Sequence, residues 1–281
     1  MRRHSASVML SRHFIPWILA LISLCFITWQ ALTNRCDPCI TELHEQTRKS
    51  EFEHCKLVYL DVGSNIGVQV RKLFEPSRYP GAPVLPLFDQ YFGTNRSKAA
   101  HLCAIGVEMN PSHTLRLAAL ETHYRETCGY SVRFFKETAA STHAGTVDFW
   151  TDGDTLNEEW GASQMLQGNT RKHTNSRIAN ALDLVSFILG EIKPFASVVV
   201  MKMDIEGSEY ELLPQLLMRG ALCDMDLIFV EYHPWLVSAH QAEVVWHVNA
   251  LLGNVSGCKA VLSSLDDESY HHDADPTMNT C

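Results

Sequence analysis

Basic charge is scarce. The chain has 23 Lys and Arg against 32 Asp and Glu, a formal net charge of −9 over 281 residues, and no Lys/Arg-rich block follows its N-terminus. That excludes nucleic acid as a partner, because phosphate binding needs a basic surface. Internal repeats and low-complexity tracts are missing too, which argues against solenoid and fibrous architectures. Cys36-Asp-Pro-Cys39 is followed by no second CxxC or CxxH, so it lacks the other half of a zinc site and reads as a disulfide cysteine pair. Charge is absent altogether from Phe14 to Leu32, the one feature here that adds a segment instead of excluding a class.

Nineteen uncharged residues rise about 1.5 Å each and nearly match a hydrocarbon core of ~30 Å. Trp17 and Trp29 lie near the two ends, where amphipathic rings favour the interface. Arg2, Arg3 and Arg12 precede the run, so the positive-inside rule predicts a cytoplasmic segment 1–13, a transmembrane signal-anchor 14–32 and a luminal stem 33–56. The domain follows at 57–281. A cleaved signal peptide is the rival, but a cut after Ala31 puts Trp29 where a small residue belongs. Such a type II protein displays its domain in the Golgi or ER lumen or outside the cell. Cys36, Cys39, Cys55, Cys103, Cys128, Cys223, Cys258 and Cys281 are even in number and can pair there, with the connectivity open. Sequons at Asn95 and Asn254 agree with that address.

From Leu57 onward strands and helices alternate. Apolar runs at Leu57–Val62, Leu102–Glu108, Val132–Glu137, Thr146–Trp150, Ser197–Asp204 and Leu227–Tyr232 predict strands. Helices are expected at Ile66–Phe74, after the Asn110-Pro111 cap, over Ile178–Leu189, and after two capping boxes, Ser208/Glu211 and Ser238/Gln241. Residues 75–96, with four prolines, read as an ordered insertion. The alternation predicts an α/β fold whose parallel sheet is covered by helices on both faces.

The first strand runs into Asp61-Val62-Gly63-Ser64-Asn65-Ile66-Gly67. Glycines at a strand-to-helix turn let a ligand approach the backbone at a positive helix N-terminus. A pyrophosphate is repelled by Asp61, whereas a cationic ligand suits it, and the G-x-G-x-x-G dinucleotide pattern is missing. The second strand ends at Glu108, 45 residues beyond Gly63, with the 22-residue insertion between them. An acid at that point accepts hydrogen bonds from a nucleoside ribose.

These motifs, with Lys202-x-Asp204-x-Glu206-Gly207-x-Glu209 and Val230-Glu231-Tyr232-His233, resemble those of the FkbM-type family of class I methyltransferases, over about residues 57–270. The resemblance implies a Rossmann-like seven-stranded sheet with a reversed last strand, S-adenosylmethionine as methyl donor and O-methylation. It implies donor binding by Asp61, Gly63, Asn65, Gly67 and Glu108. The Gly161-Ala162-Ser163 loop resembles a family loop near the donor pocket.

A hydroxyl acceptor needs a base or a metal to take its proton. Asp204 or His233 is expected to act there, with Glu206 positioning substrate or donor; both stand at strand ends, where ligands of open α/β sheets bind. Glu209 and Glu211 read as first-turn acids favoured by the helix dipole. No local spacing marks a metal loop, so no metal ligands are assigned and a divalent ion stays open. The tail Asp266–Asp275 reads as a solvated acidic segment. The expected function is methylation of a hydroxyl on a glycan or small molecule. A non-catalytic, membrane-anchored binding protein that keeps the fold is the alternative.

Overall fold

The computed structural model describes residues 49–151, 161–164, 175–267, 269 and 281. All of the architecture below belongs to the unit Ser50–Cys281. The expected anchor 14–32, the Cys36/Cys39 pair and residues 270–275 of the tail lie outside the described residues. No described helix is long and apolar enough to cross a membrane.

The elements, in chain order, are β1 (Leu57–Val62), α1 (Val68–Phe74), α2 (Leu85–Phe92), β2 (Leu102–Glu108), α3 (Thr114–Thr122), β3 (Ser131–Lys136), β4 (Thr138–Ser141), β5 (Gly145–Thr151), β6 (Asn175–Asp183), α4 (Leu184–Phe187), β7 (Val198–Met203), α5 (Glu209–Met218), β8 (Leu227–Val230), α6 (Ala239–Leu252) and β9 (Val261–Ser264). Six strands pair in parallel in the order β3-β2-β1-β7-β8-β9. The described residues thus supply six of the seven expected strands; the reversed one is not among them. The order changes direction at β1, flanked by β2 and β7, and a crevice opens beyond the carboxyl ends there.

Both faces of this sheet are buried, and β1 shows why. Val58, Leu60 and Val62 pack on one side with Leu212, Leu213 and Leu216 of α5. Tyr59 points the other way, toward Leu73 and Phe88. Phe88 and Phe92 belong to the proline-rich insertion, and their rings lie 4.9 and 6.5 Å from that of Tyr59. The insertion therefore folds as α2 between 3-10 turns and extends the core. Packing also begins before β1, since Phe52 is buried with its ring 5.6 Å from Phe187.

A second, three-stranded sheet has the order β4-β6-β5. It corrects the first half of the helix expected over Ile178–Leu189: residues 175–183 form β6, and helix begins at Leu184, as α-helix to Phe187 and as a π-turn over Ile188–Ile192. The physical reason is period two. Ala179 and Ala181 are buried while Ile178 is exposed, and seven residues of β5 pair antiparallel with this strand. Asp183 then caps α4, accepting from the backbone N–H of Ser186 at 3.0 Å.

Among the described residues three disulfides join Cys55–Cys103, Cys128–Cys281 and Cys223–Cys258. Iodoacetamide labelling of the denatured, unreduced chain is expected to spare these six cysteines and to reach all six after reduction. Peptide mass spectrometry reads the outcome, and free Cys55 or Cys223 in unreduced protein would contradict it.

Candidate active site

The turn after β1 is built by close packing. Gly63 has φ +85°, and a Cβ there would lie 1.7 Å from the carbonyl oxygen of Asp204. Gly67 has φ +83°, and its Cβ would meet Leu120 at 2.7 Å. The room these glycines leave is filled by the protein itself, so their requirement is set by packing of the turn against its neighbours. Asn65 also takes a left-handed φ, +49°, and its N–H donates to Oε2 of Glu108 at 2.7 Å. Oε1 of Glu108 accepts from the N–H of Asn110, also at 2.7 Å. Glu108 thus fastens the turns after β1 and β2 together, a task its expected ribose role did not include.

Asp61 lies beneath this turn, fully buried, and neither carboxylate oxygen accepts a hydrogen bond of good geometry among the described residues. Burial pushes its carboxyl up from the ordinary 3.8 to about 6, against the pull of the Lys202 ammonium. The turn above it borders a cavity of about 30 Å³, room for about two waters, walled on its apolar side by Ile66, Val68, Phe229 and Leu265. Asn65, Gln69, Lys202, Asp204, Glu231 and Asp267 line it. Oδ1 of Asn65 and Oε1 of Gln69 are buried acceptors with no donor among the described residues. A set of acceptors lacking donors fits a ligand that brings N–H groups or positive charge.

Asp204 and Glu206 leave the end of β7, and Glu231 and His233 leave the end of the adjacent β8. Met203 pairs with Val230, so the two exits run side by side. The ladder continues one step, with Asp204 N donating to Val62 O and Glu231 N to Met203 O, each at 3.0 Å. Nζ of Lys202 holds Oδ2 of Asp204 and the carbonyl of Gly63, each at 2.8 Å. Burial alone would lower this ammonium; Asp204 and Asp61 more than reverse it. Glu206 sits at φ +51°, a left-handed conformation rare for a side chain of its size. Its carbonyl accepts from the Ser163 hydroxyl at 2.6 Å, and Ser163 is itself bridged to Trp150 of β5. The Gly161–Ser163 loop therefore braces the turn that presents the acids.

Glu209 stands in the first turn of α5 as expected, and has a further task there. It is completely buried, and its Oε2 accepts from Gly207 N at 2.9 Å. Its Oε1 accepts from His233 N at 2.9 Å and lies 3.0 Å from Nδ1 of the same residue. Position N1 lets this carboxylate reach back over the turn, so the expected first-turn acid also ties β7 to β8. Ser208, expected as the cap, makes no side-chain capping bond. The Ser238/Gln241 box forms as expected.

The other ring nitrogen of His233, Nε2, faces Glu231, Asp204 and Glu206 at 3.6, 3.8 and 3.9 Å. Burial alone would lower this imidazole, but the Glu209 contact and the Glu231 and Glu206 carboxylates push it up to about 11. His233 is 3% exposed, whereas Asp204, Glu206 and Glu231 are only part-buried. The three expected catalytic residues thus meet in one place, with the acids facing outward and the imidazole beneath.

Asp267 is the second correction, because it is no solvated acid. Its side chain is 1% exposed and pairs at 3.0 Å with Lys72, itself 0% exposed. Glu231 joins them, as its place at a strand end suggested; sequence reasoning missed Gln69, Lys202 and Asp267 as site residues, and only Lys202 lay inside a motif that could have flagged it.

Comparison with curated proteins and with solved structures found no match. The family profile of the methyltransferase FkbM domain matches residues 61–271, three quarters of the chain and every side chain of the site just described. The chain belongs to the FkbM methyltransferase family.

Proposed function

We propose that this chain is an S-adenosylmethionine-dependent O-methyltransferase acting on a hydroxyl of a glycan or small molecule. One observation carries the reading: Asp204, Glu206 and His233 converge beyond β7 and β8, beside a turn whose buried acceptors lack donors among the described residues. The residues fit the donor. Its ammonium and sulfonium suit Asp61, Asn65 and Gln69, and its ribose suits Glu108. Bound there, S-adenosylmethionine supplies a methyl group already activated on sulfur. What remains for the protein is to align the acceptor oxygen and take its proton. We assign the proton to Oδ1 of Asp204, which is more exposed than the imidazole behind it and whose other oxygen is held by Lys202. Glu206 then orients the acceptor.

We further propose the luminal or extracellular address and the membrane anchor at 14–32. Three disulfides support an oxidising compartment, as do the exposed positions of Asn95 and Asn254.

Asp61 tests the donor site, and its sign can be worked out. In the fold its proton is held more tightly than in the unfolded chain, so ionising it costs stability. The cost is absent below about pH 4, grows to about pH 6 and is constant above. Asp61→Asn is therefore expected to stabilise the protein by roughly 2–3 kcal/mol at pH 7 and by little at pH 4, in chemical denaturation. Calorimetry should show donor affinity falling about tenfold or more in the same variant. Stabilisation with unchanged donor affinity would make Asp61 a scaffold residue and defeat the donor assignment.

A further inference from the structure

Two short pairs, Asp204-x-Glu206 and Glu231-x-His233, are 27 residues apart in sequence and meet because β7 and β8 end in register. One ligand atom from each of Asp204, Glu206 and His233 can be chosen so that all lie within 4.8 Å of one another. Oε1 of Glu231 is a fourth, 3.6 Å from Nε2 of His233. Atoms bound to one ion through bonds of ~2.1 Å are ~3–4 Å apart. The three carboxylate distances to Nε2, 3.6–3.9 Å, fall in that interval and exceed a hydrogen bond.

A patch of acids alone would carry nothing. Here a nine-tenths-buried imidazole is aimed into the patch, and among the described residues Nε2 meets only its three carboxylates, at 3.6–3.9 Å. Its direction is fixed from behind, because Glu209 holds both Nδ1 and the backbone N–H of the same residue. A carboxylate gripping the far nitrogen of a histidine is the arrangement that orients metal-binding imidazoles and raises their basicity. Charge points the same way. Four carboxylates, those of residues 204, 206, 209 and 231, stand against the ammonium of Lys202 and one imidazole.

We propose that Asp204, Glu206, Glu231 and His233 form a site for one divalent cation, with Glu209 as the positioning residue behind His233. Three carboxylates and one imidazole, without a thiolate, select a Mn²⁺-like ion. Its place in the reaction rests on the methyl-transfer reading: between donor turn and acceptor, it lowers the pKa of the acceptor hydroxyl, and with the ion on Oδ1 of Asp204 the proton leaves to solvent instead of to that oxygen. Its binding does not rest on that reading.

The test uses the full chain, purified, stripped with EDTA and titrated with Mn²⁺, the free ion being read by its paramagnetic resonance. One ion per chain is expected. His233→Gln and Glu206→Gln should each weaken binding by about tenfold or more, Glu209→Gln by about 10–100-fold, and Glu211→Gln not at all. No binding at millimolar Mn²⁺, or equal binding by wild type and Glu206→Gln, overturns the proposal. Should His233→Gln fail to fold, wild type decides: Mn²⁺ at this site must broaden the indole resonance of Trp235, whose ring lies 5.4 Å from that of His233. An unbroadened Trp235 rejects the site. A chain that binds Mn²⁺ here yet transfers no methyl group keeps the site and rejects the function. Methyl transfer unchanged by EDTA, without Mn²⁺ binding, does the reverse.

Discussion

Replacing Asp204 by asparagine is expected to lower methyl-transfer turnover by about 10²–10⁴-fold, the usual worth of a positioned base. The substitution keeps the shape and removes the charge. Asparagine can still accept from Lys202, so Nζ keeps a partner at that position as well as the carbonyl of Gly63. The backbone N–H of residue 204 still extends the ladder to Val62. Donor affinity should therefore change by less than about threefold, which calorimetry with S-adenosylmethionine can verify before any rate is measured. A loss confined to turnover makes Asp204 catalytic, whether it takes the proton itself or holds a cation that acidifies the hydroxyl. Turnover near that of wild type on a verified acceptor would rule the assignment out. His233→Gln is the companion variant, since it alters the imidazole behind Asp204 without touching the Lys202 pair.

Asp267→Ala is expected to destabilise the fold by about 3–5 kcal/mol, the cost of breaking a buried ion pair on one side only. The Lys72 ammonium would stay buried without the carboxylate 3.0 Å away. The backbone N–H of Val84, which donates to Oδ2 of Asp267 at 3.3 Å, loses that acceptor as well. Burial acts to raise the Asp267 carboxyl, but the Ser269 hydrogen bond and Lys72 hold it below the ordinary 3.8. The pair therefore stabilises the fold above about pH 4, and its contribution fades as pH falls through the depressed value. Guanidinium unfolding at pH 7 should show the full loss, and the gap between variant and wild type should narrow toward pH 3. Asp266→Ala, one residue away and exposed, is the control and should cost under about 1 kcal/mol. Equal effects of the two variants would show that Asp267 does not anchor the segment after β9.

Five of the six parallel strands were legible because each is a short apolar run bounded by turn residues, as in β1 and β7; the edge strand β9, only four residues long and not buried, was not. The Asn110-Pro111 start was legible because capping is local: the Asn110 side chain accepts from Ser112 N at 3.0 Å. β6 was not, since Leu182, Leu184 and Val185 near its end suit a helix face and only pairing with β5 decides the matter. Asp204, Glu206 and His233 were found as site residues through motifs. What each does was hidden wherever the partner is distant in sequence. Nothing near Glu209 announces that it grips a histidine 24 residues on, and Asp267 meets Lys72 across 195 residues. Gly63 was read as clearance for a ligand, because a sequence cannot show that the carbonyl of Asp204 occupies the space.

The position of β1 between β2 and β7 bears on how the chain emerges during synthesis. One edge of β1 finds its partner within about 40 residues, whereas the other waits about 140 residues for β7. At ~5–20 residues per second, that edge stands open for roughly 7–28 s. Cys55 and Cys103 flank the early pair and are both available in that interval, so their bond can clamp β1 to β2 before the rest of the sheet exists. Cys281 is made 153 residues after Cys128, so the bond that closes the largest ring among the described disulfides forms only after every strand of the sheet has been synthesised.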